Sequence, residues 1–199
     1  MGAALKESLG LGHLALRYQP QIRGEDGGLH GVEALARWSH PRFGDVPPAK
    51  FIALAEETGL IEAIGEWAIS EACRQMAVWE SIAPVDFRIG INLSQRQLAD
   101  PNVTGMFRAV AARHGVDPHR IVIEISERSL AHDPETAERT LHNLLGHGVN
   151  VAVDNFGTGY ASLAHLQRFP VGALKIDRYF VSRLPGDRTA ATLVRGIIG

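Results

Sequence analysis

A chain of 199 residues that is 45% hydrophobic and 21% charged can bury a sizeable core in one domain, which excludes a disordered segment. A formal net charge of −2 with no block of like charges excludes the electrostatic footprint of a duplex nucleic-acid binder. With no apolar run near the roughly 20 residues of a membrane span, no signal peptide and a single cysteine, Cys73, the composition predicts a soluble cytoplasmic protein with no membrane contact in this segment.

Residues up to about Gly12 read as a helical lead-in. Leu14 to Ile22 and Leu29 to Trp38 read as two strands, and the Gly-rich turn between them predicts an antiparallel hairpin. Ala49 to Trp79 is helical in pattern, with Gly59 and Gly65 as breaks. A strand from Phe87 to Leu93 follows, then a helix from Asn102 to His114 closed by Gly115 and a strand from Ile121 to Ile125. Pro134 to His147 forms an amphipathic helix closed by Gly148. The alternating valines of Val149, Val151 and Val153 predict a strand that ends at Asp154. A short helix around Ser162 to Gln167, a strand from Ala173 to Ile176 and a helix near Arg188 to Ile198 complete the pattern.

Five alternations of strand and helix predict an α/β fold with a parallel sheet and right-handed crossovers. A closed (β/α) barrel takes about 250 residues and eight strands. About six strands are legible, so either a piece of a longer barrel or an open, partial one is expected, with the final strands missing from residues 1–199.

Side chains two apart on a strand share a face. By that rule Glu33 and Arg37 lie opposite Val32 and Ala34, and Gly90 and Asn92 lie opposite Ile89 and Ile91. Glu124 lies opposite the isoleucines around it, Asp154 opposite Val153, and Lys175 opposite Leu174 and Ile176. All fall near the C-terminal ends of their strands, where barrel active sites sit. Carboxylate and amide oxygens suit Mg²⁺ or Mn²⁺ rather than zinc or copper. A divalent cation would relieve the repulsion among three acids and activate a water for attack on a phosphodiester. The nine histidines are scattered and read as surface residues; Trp38, Trp67 and Trp79 read as core, and Glu56-Glu57 as a solvated helix face.

Glu33-Ala34-Leu35, within Gly31 to Trp38, resembles the motif that names the EAL domains, bacterial phosphodiesterases that open cyclic di-GMP to linear pGpG. Tyr18-Gln19-Pro20, Pro48 with Phe51-Ile52, Ala55 to Ile61, Asn92-Leu93-Ser94, Glu124 to Glu127, Phe156 to Tyr160 and Leu174 to Asp177 match that family in order. The resemblance implies a TIM-like barrel of the EAL type with an antiparallel first strand, incomplete at the C-terminus. It also implies a Mg²⁺- or Mn²⁺-dependent hydrolase of bacterial second-messenger signalling, with cyclic di-GMP as its partner. A homodimer and upstream sensor or GGDEF modules are further partners that it allows.

By the same resemblance, Glu33, Asn92, Glu124 and Asp154 would hold the first metal, and Asp154 would bridge to a second. Lys175 and Glu33 are the catalytic residues it implies, with Lys175 positioning the attacking water. Leu35 and Arg37 would contact sugar and phosphate, Gln19 would shape the nucleotide pocket, and Asp177 would sit near a guanine. Phe156, Gly157, Thr158, Gly159 and Tyr160 would form a regulatory loop. Glu127 would either brace that loop or pair at the surface.

Two departures from the family pattern fall on the second metal. Asn155 stands where the family usually carries a second aspartate, and the late Glu-Gly-Val-Glu-like motif and glutamine are not found. The alternative expectation is therefore a catalytically impaired cyclic-di-GMP receptor or a protein-interaction module.

Overall fold

The computed structural model describes residues 1–157 and 168–198; the loop positions Thr158, Gly159 and Tyr160 and the helix expected around Ser162 to Gln167 lie outside the described residues. Helix α1 (Gly2–Leu11) leads into a hairpin of β1 (Leu14–Ile22) and β2 (Leu29–His40), and β3 (Gly44–Val46) folds back on the end of β2. Then come α2 (Pro48–Thr58) and α3 (Ile61–Trp79), β4 (Arg88–Asn92), α4 (Gln95–Leu98), α5 (Val103–His114) and β5 (Ile121–Ser126). The chain continues through α6 (Glu127–His132), α7 (Pro134–Gly146), β6 (Asn150–Phe156), β7 (Ala173–Ile176), α8 (Arg178–Val181) and α9 (Arg188–Ile198).

The sheet order is β1-β2-β4-β5-β6-β7, with β3 paired to β2. β1 is antiparallel to β2, and every pair from β2 through β4, β5 and β6 to β7 is parallel. The architecture is thus the α/β fold with an antiparallel first strand that the strand and helix pattern predicts. Among the described residues β1 and β7 do not pair, so the sheet stays open between them.

Burial follows the strand alternation. Ile89, Ile91, Ile121, Ile123, Ile125, Val151 and Val153 are each no more than 2% exposed, and they pack with Ile69, Met76, Phe107 and Leu141 of the helical layer. Each such side chain contributes roughly 1.5–3 kcal/mol by leaving water. Cys73 belongs to this core, and burial pushes its thiol up to about 11. Trp38 anchors a second cluster with Leu5, Leu14 and Phe51, and its indole N–H donates to Ser8 Oγ at 2.8 Å. Trp67 and Trp79 pack against the main core, as their apolar neighbourhoods predict.

Two expectations need correction. Gly65 does not break a helix: α3 runs through it, and a Cβ there would overlap the side-chain amide of Gln97, which fills the space a larger residue would take. Gly59 does end α2, in the left-handed conformation at φ 73°. The second strand also continues past Trp38 to His40, because β3 pairs with Trp38, Ser39 and His40. The short helices α4 and α6 follow serine caps: Ser94 closes a capping box with Gln97, and Ser126 Oγ accepts the Ser129 N–H.

Candidate active site

Parallel register brings the strand ends level. Glu33 pairs with Gly90, Asn92 with Glu124, and Ser126 with Asp154, so these side chains converge at the C-terminal end of the sheet. Lys175 lies at their centre. Its Nζ donates to Glu33 Oε2 at 2.5 Å and to Glu124 Oε2 at 2.7 Å, and stands 3.9 Å from Asp154 Oδ1. Asn92 Nδ2 donates to Glu33 Oε1 at 2.9 Å.

The electrostatics are unequal across the cluster. Glu124 is 2% exposed, Glu33 17%, Asp154 22% and Lys175 27%. Burial pushes the Glu124 carboxyl up to about 7, helped by the charges of Glu33 and Asp154 and opposed by Lys175. Burial acts upward on Glu33 too, yet the donors Lys175 and Asn92 hold it below the usual carboxylate range. Desolvation pulls Lys175 down, but its bonds to Glu124 and Glu33 outweigh it and raise its value. One ammonium therefore serves three acids, leaving an excess of negative charge in a largely buried place.

Among the described residues no group of three or more His, Cys, Asp or Glu side chains is spaced to hold a metal ion; the cation between the acids is Lys175 itself. The donor chemistry nevertheless fits a hard divalent cation, since three carboxylates and one amide surround a site with surplus negative charge. A built cradle supports that fit: a Cβ at Gly90 would overlap Glu124 Oε1, so only glycine leaves the carboxylate its place.

A β-bulge follows Asp154, whose own side of the strand is set by alternation with Val153. Val153 pairs with Leu174 and Phe156 with Ile176, so Asp154 and Asn155 together oppose the single residue Lys175. The extra residue resets the alternation, and Val153 and Phe156 are both core residues although three positions apart. The pivot is Asn155 at φ 55°, a left-handed conformation that asparagine tolerates better than most side chains. Its Nδ2 donates to Asp154 Oδ2 at 2.9 Å. Beyond it, the Gly157 N–H donates to Glu127 Oε2 at 3.1 Å, and Glu127 is 1% exposed. Glu127 thus meets the start of the loop from a buried position.

Glu33, Leu35, Arg37, Asn92, Asp154 and Asn155 line one cleft of about 660 Å³, together with the apolar residues Pro48, Ile52, Ile61 and Ile64. Arg37 is half-buried, and its Nη1 donates to the Ala36 carbonyl at 2.8 Å. Gln19 is exposed on β1 beside Glu33 in the hairpin register. Asp177 lies at the end of β7, where its carboxylate caps α8 by accepting the Tyr179 N–H at 2.7 Å. Glu56 and Glu57 are exposed, and Glu56 also stands at the cleft rim.

Two residues of the cluster escape motif reading. Gln21 Nε2 donates to Glu124 Oε1 at 3.3 Å across 103 residues, and Gly90 makes room for that oxygen. Gln21 shares strand parity with Gln19, and face assignment is the signal that could have placed it on this side; the same rule already puts Gly90 on the face of Asn92.

An open, mostly parallel α/β sheet whose strand ends gather acids around a lysine defines the fold class, and comparison with known proteins narrows it. A family model described as the EAL domain matches residues 3–199, and the chain belongs to that family. The bifunctional diguanylate cyclase/cyclic di-GMP phosphodiesterase MucR of Pseudomonas aeruginosa is 40% identical over 194 residues, 98% of this chain and 28% of that protein. The cyclic di-GMP phosphodiesterase PdeR of Escherichia coli is 37% identical over 196 residues, 98% of this chain and 29% of that protein. The chain thus spans less than a third of the length of these relatives. A solved structure of the MucR phosphodiesterase in complex with c-di-GMP superposes with a TM-score of 0.92 at 40% identity, covering 98% of this chain and 79% of that one.

Proposed function

We propose that this chain is the cyclic-di-GMP-binding and phosphodiesterase domain of a signalling protein, acting on one phosphodiester of cyclic di-GMP to give linear pGpG. The observation that carries this reading is the cluster of Glu33, Glu124, Asp154 and Lys175, of which Glu33 and Asp154 line a cleft that also contains Arg37. The names of the relatives supply the substrate class.

In this reading Glu33, Asn92, Glu124 and Asp154 would hold a Mg²⁺ or Mn²⁺, and the ion would supply charge neutralisation and activation of water. Arg37 receives a non-bridging phosphate oxygen as a planar, charge-assisted donor, and Leu35 packs against the sugar. Lys175 gives up contacts with the acids and holds the attacking water in line with the leaving oxygen. Gln19 and Asp177 flank the nucleotide. Asn155 supplies a neutral amide where a second carboxylate would add affinity for a second cation, so turnover is slow.

The test is a chromatographic assay for pGpG with Mg²⁺ or Mn²⁺. Slow conversion that disappears in Glu33→Gln supports the reading; conversion that survives the substitution places the chemistry elsewhere. A receptor without turnover is the second reading, favoured by Asn155 at the strand end, and binding of cyclic di-GMP with no pGpG at any metal concentration would establish it.

A further inference from the structure

β1 and β5 lie three strand spacings apart in the order β1-β2-β4-β5, about 14 Å along a flat sheet. A glutamine and a glutamate do not meet across such a span, yet Gln21 Nε2 reaches Glu124 Oε1 at 3.3 Å. The sheet must curl for this, and its inner floor must be empty between the two strands. Both conditions are written into the residues. The partner of Gln21 across the hairpin is Gly31, and the inward residue of β4 level with Glu33 is Gly90. A Cβ at Gly90 would overlap the very oxygen that Gln21 holds, and a Cβ at Gly31 would overlap the Arg88 backbone carbonyl.

The two oxygens of Glu124 are thereby divided. Oε1 receives the Gln21 amide, and Oε2 receives Lys175 at 2.7 Å. The ionised carboxylate that would face a cation only accepts, so in that state the amide nitrogen, not its oxygen, faces Glu124. A neutral donor fixes the carboxylate without adding a charge that would compete with a bound cation, whereas an apolar residue would leave Oε1 bare in a buried site.

We infer that Gln21 is a positioning residue that sets the orientation of Glu124 from beneath, so that the carboxylate presents its other oxygen to whatever cation stands above it. The inference rests on the proposed role of Glu124 as a metal ligand. Side chains that orient a ligating group typically cost 10- to 100-fold in metal affinity when removed.

The experiment titrates Mn²⁺ into the full 199-residue chain by electron paramagnetic resonance, for the parent, Gln21→Met, Gln21→Asn and Glu124→Gln, with thermal melts in EDTA alongside. The methionine is near-isosteric and lacks the donor; the asparagine keeps the donor but is one methylene too short. Both should weaken Mn²⁺ binding by about tenfold or more while the proteins stay folded. A purely structural Gln21 would lower the melting temperature and leave the Mn²⁺ affinity unchanged, and that result overturns the inference while leaving the metal reading intact. A parent chain that binds no Mn²⁺, or binds it equally in Glu124→Gln, removes Glu124 as a ligand and the inference with it.

Discussion

Replacing Lys175 by methionine keeps the length of the side chain and deletes the single charge on which Glu33 and Glu124 both depend. Glu124 is 2% exposed and, among the described residues, would keep Gln21 as its side-chain hydrogen-bond donor. Removing one partner of a buried pair costs about 3–5 kcal/mol. Lys175 is 27% exposed and Glu33 17%, so water reaches part of the site, and the loss should be nearer 2–3 kcal/mol in the metal-free protein. For about 200 residues that is a fall in melting temperature of roughly 4–12 °C.

The pH dependence has a definite sign. The Glu124 carboxyl sits near 7 in the folded protein against an ordinary 4.5, so the folded state binds its proton more tightly and stability is lost as pH rises through that interval. Without Lys175 the value climbs further. The deficit of Lys175→Met should therefore be full at about pH 8 and clearly smaller at about pH 5.5. Urea unfolding followed by circular dichroism, in EDTA, measures it. The double variant with Glu124→Gln should recover part of the loss, with a coupling of about 1–3 kcal/mol. A loss under about 1 kcal/mol at the higher pH, or one that does not change with pH, would refute the idea that Lys175 compensates a buried acid.

Asn155→Val should cost about 1–2 kcal/mol, because a β-branched residue resists the left-handed conformation at φ 55°, whereas Asn155→Asp should keep the fold and raise pGpG formation; equal stability of the valine variant would argue against the bulge. Gly157→Ala meets both a φ of 101° and the Phe180 ring, whose Cε2 lies 2.8 Å from the added carbon, and should cost about 1–3 kcal/mol in urea unfolding. Cys73, 0% exposed with its thiol pushed up to about 11, should not react with a disulfide reagent in the native protein and should react fully on unfolding; fast native reaction would contradict its place in the core.

Much of this arrangement is legible in strand alternation. Ile89, Ile91, Ile121, Ile123 and Ile125 declare a buried face, and Asn92 and Glu124 then have only the other face to occupy. What alternation cannot reach has physical causes. β3 is three residues long, too short to carry a period, and exists because His40 pairs with Gly44 across a tight turn. Gly65 looks like a helix breaker until Gln97, 32 residues later, is seen to need its space. Asn155 shifts the parity of its own strand, so a strict period of two would aim Phe156 into the site. The bond between Gln21 and Glu124 depends on curvature of the whole sheet, which no local window contains.

The most direct measurement is calorimetric titration of cyclic di-GMP into the chain with Ca²⁺ present to occupy the cation site without supporting fast turnover, for the parent and for Arg37→Ala. Saturable heat from the parent, at one nucleotide per cleft, and its loss by about tenfold or more in affinity on removing the guanidinium are expected. No heat from the folded parent at high nucleotide concentration would contradict both the enzyme and the receptor readings.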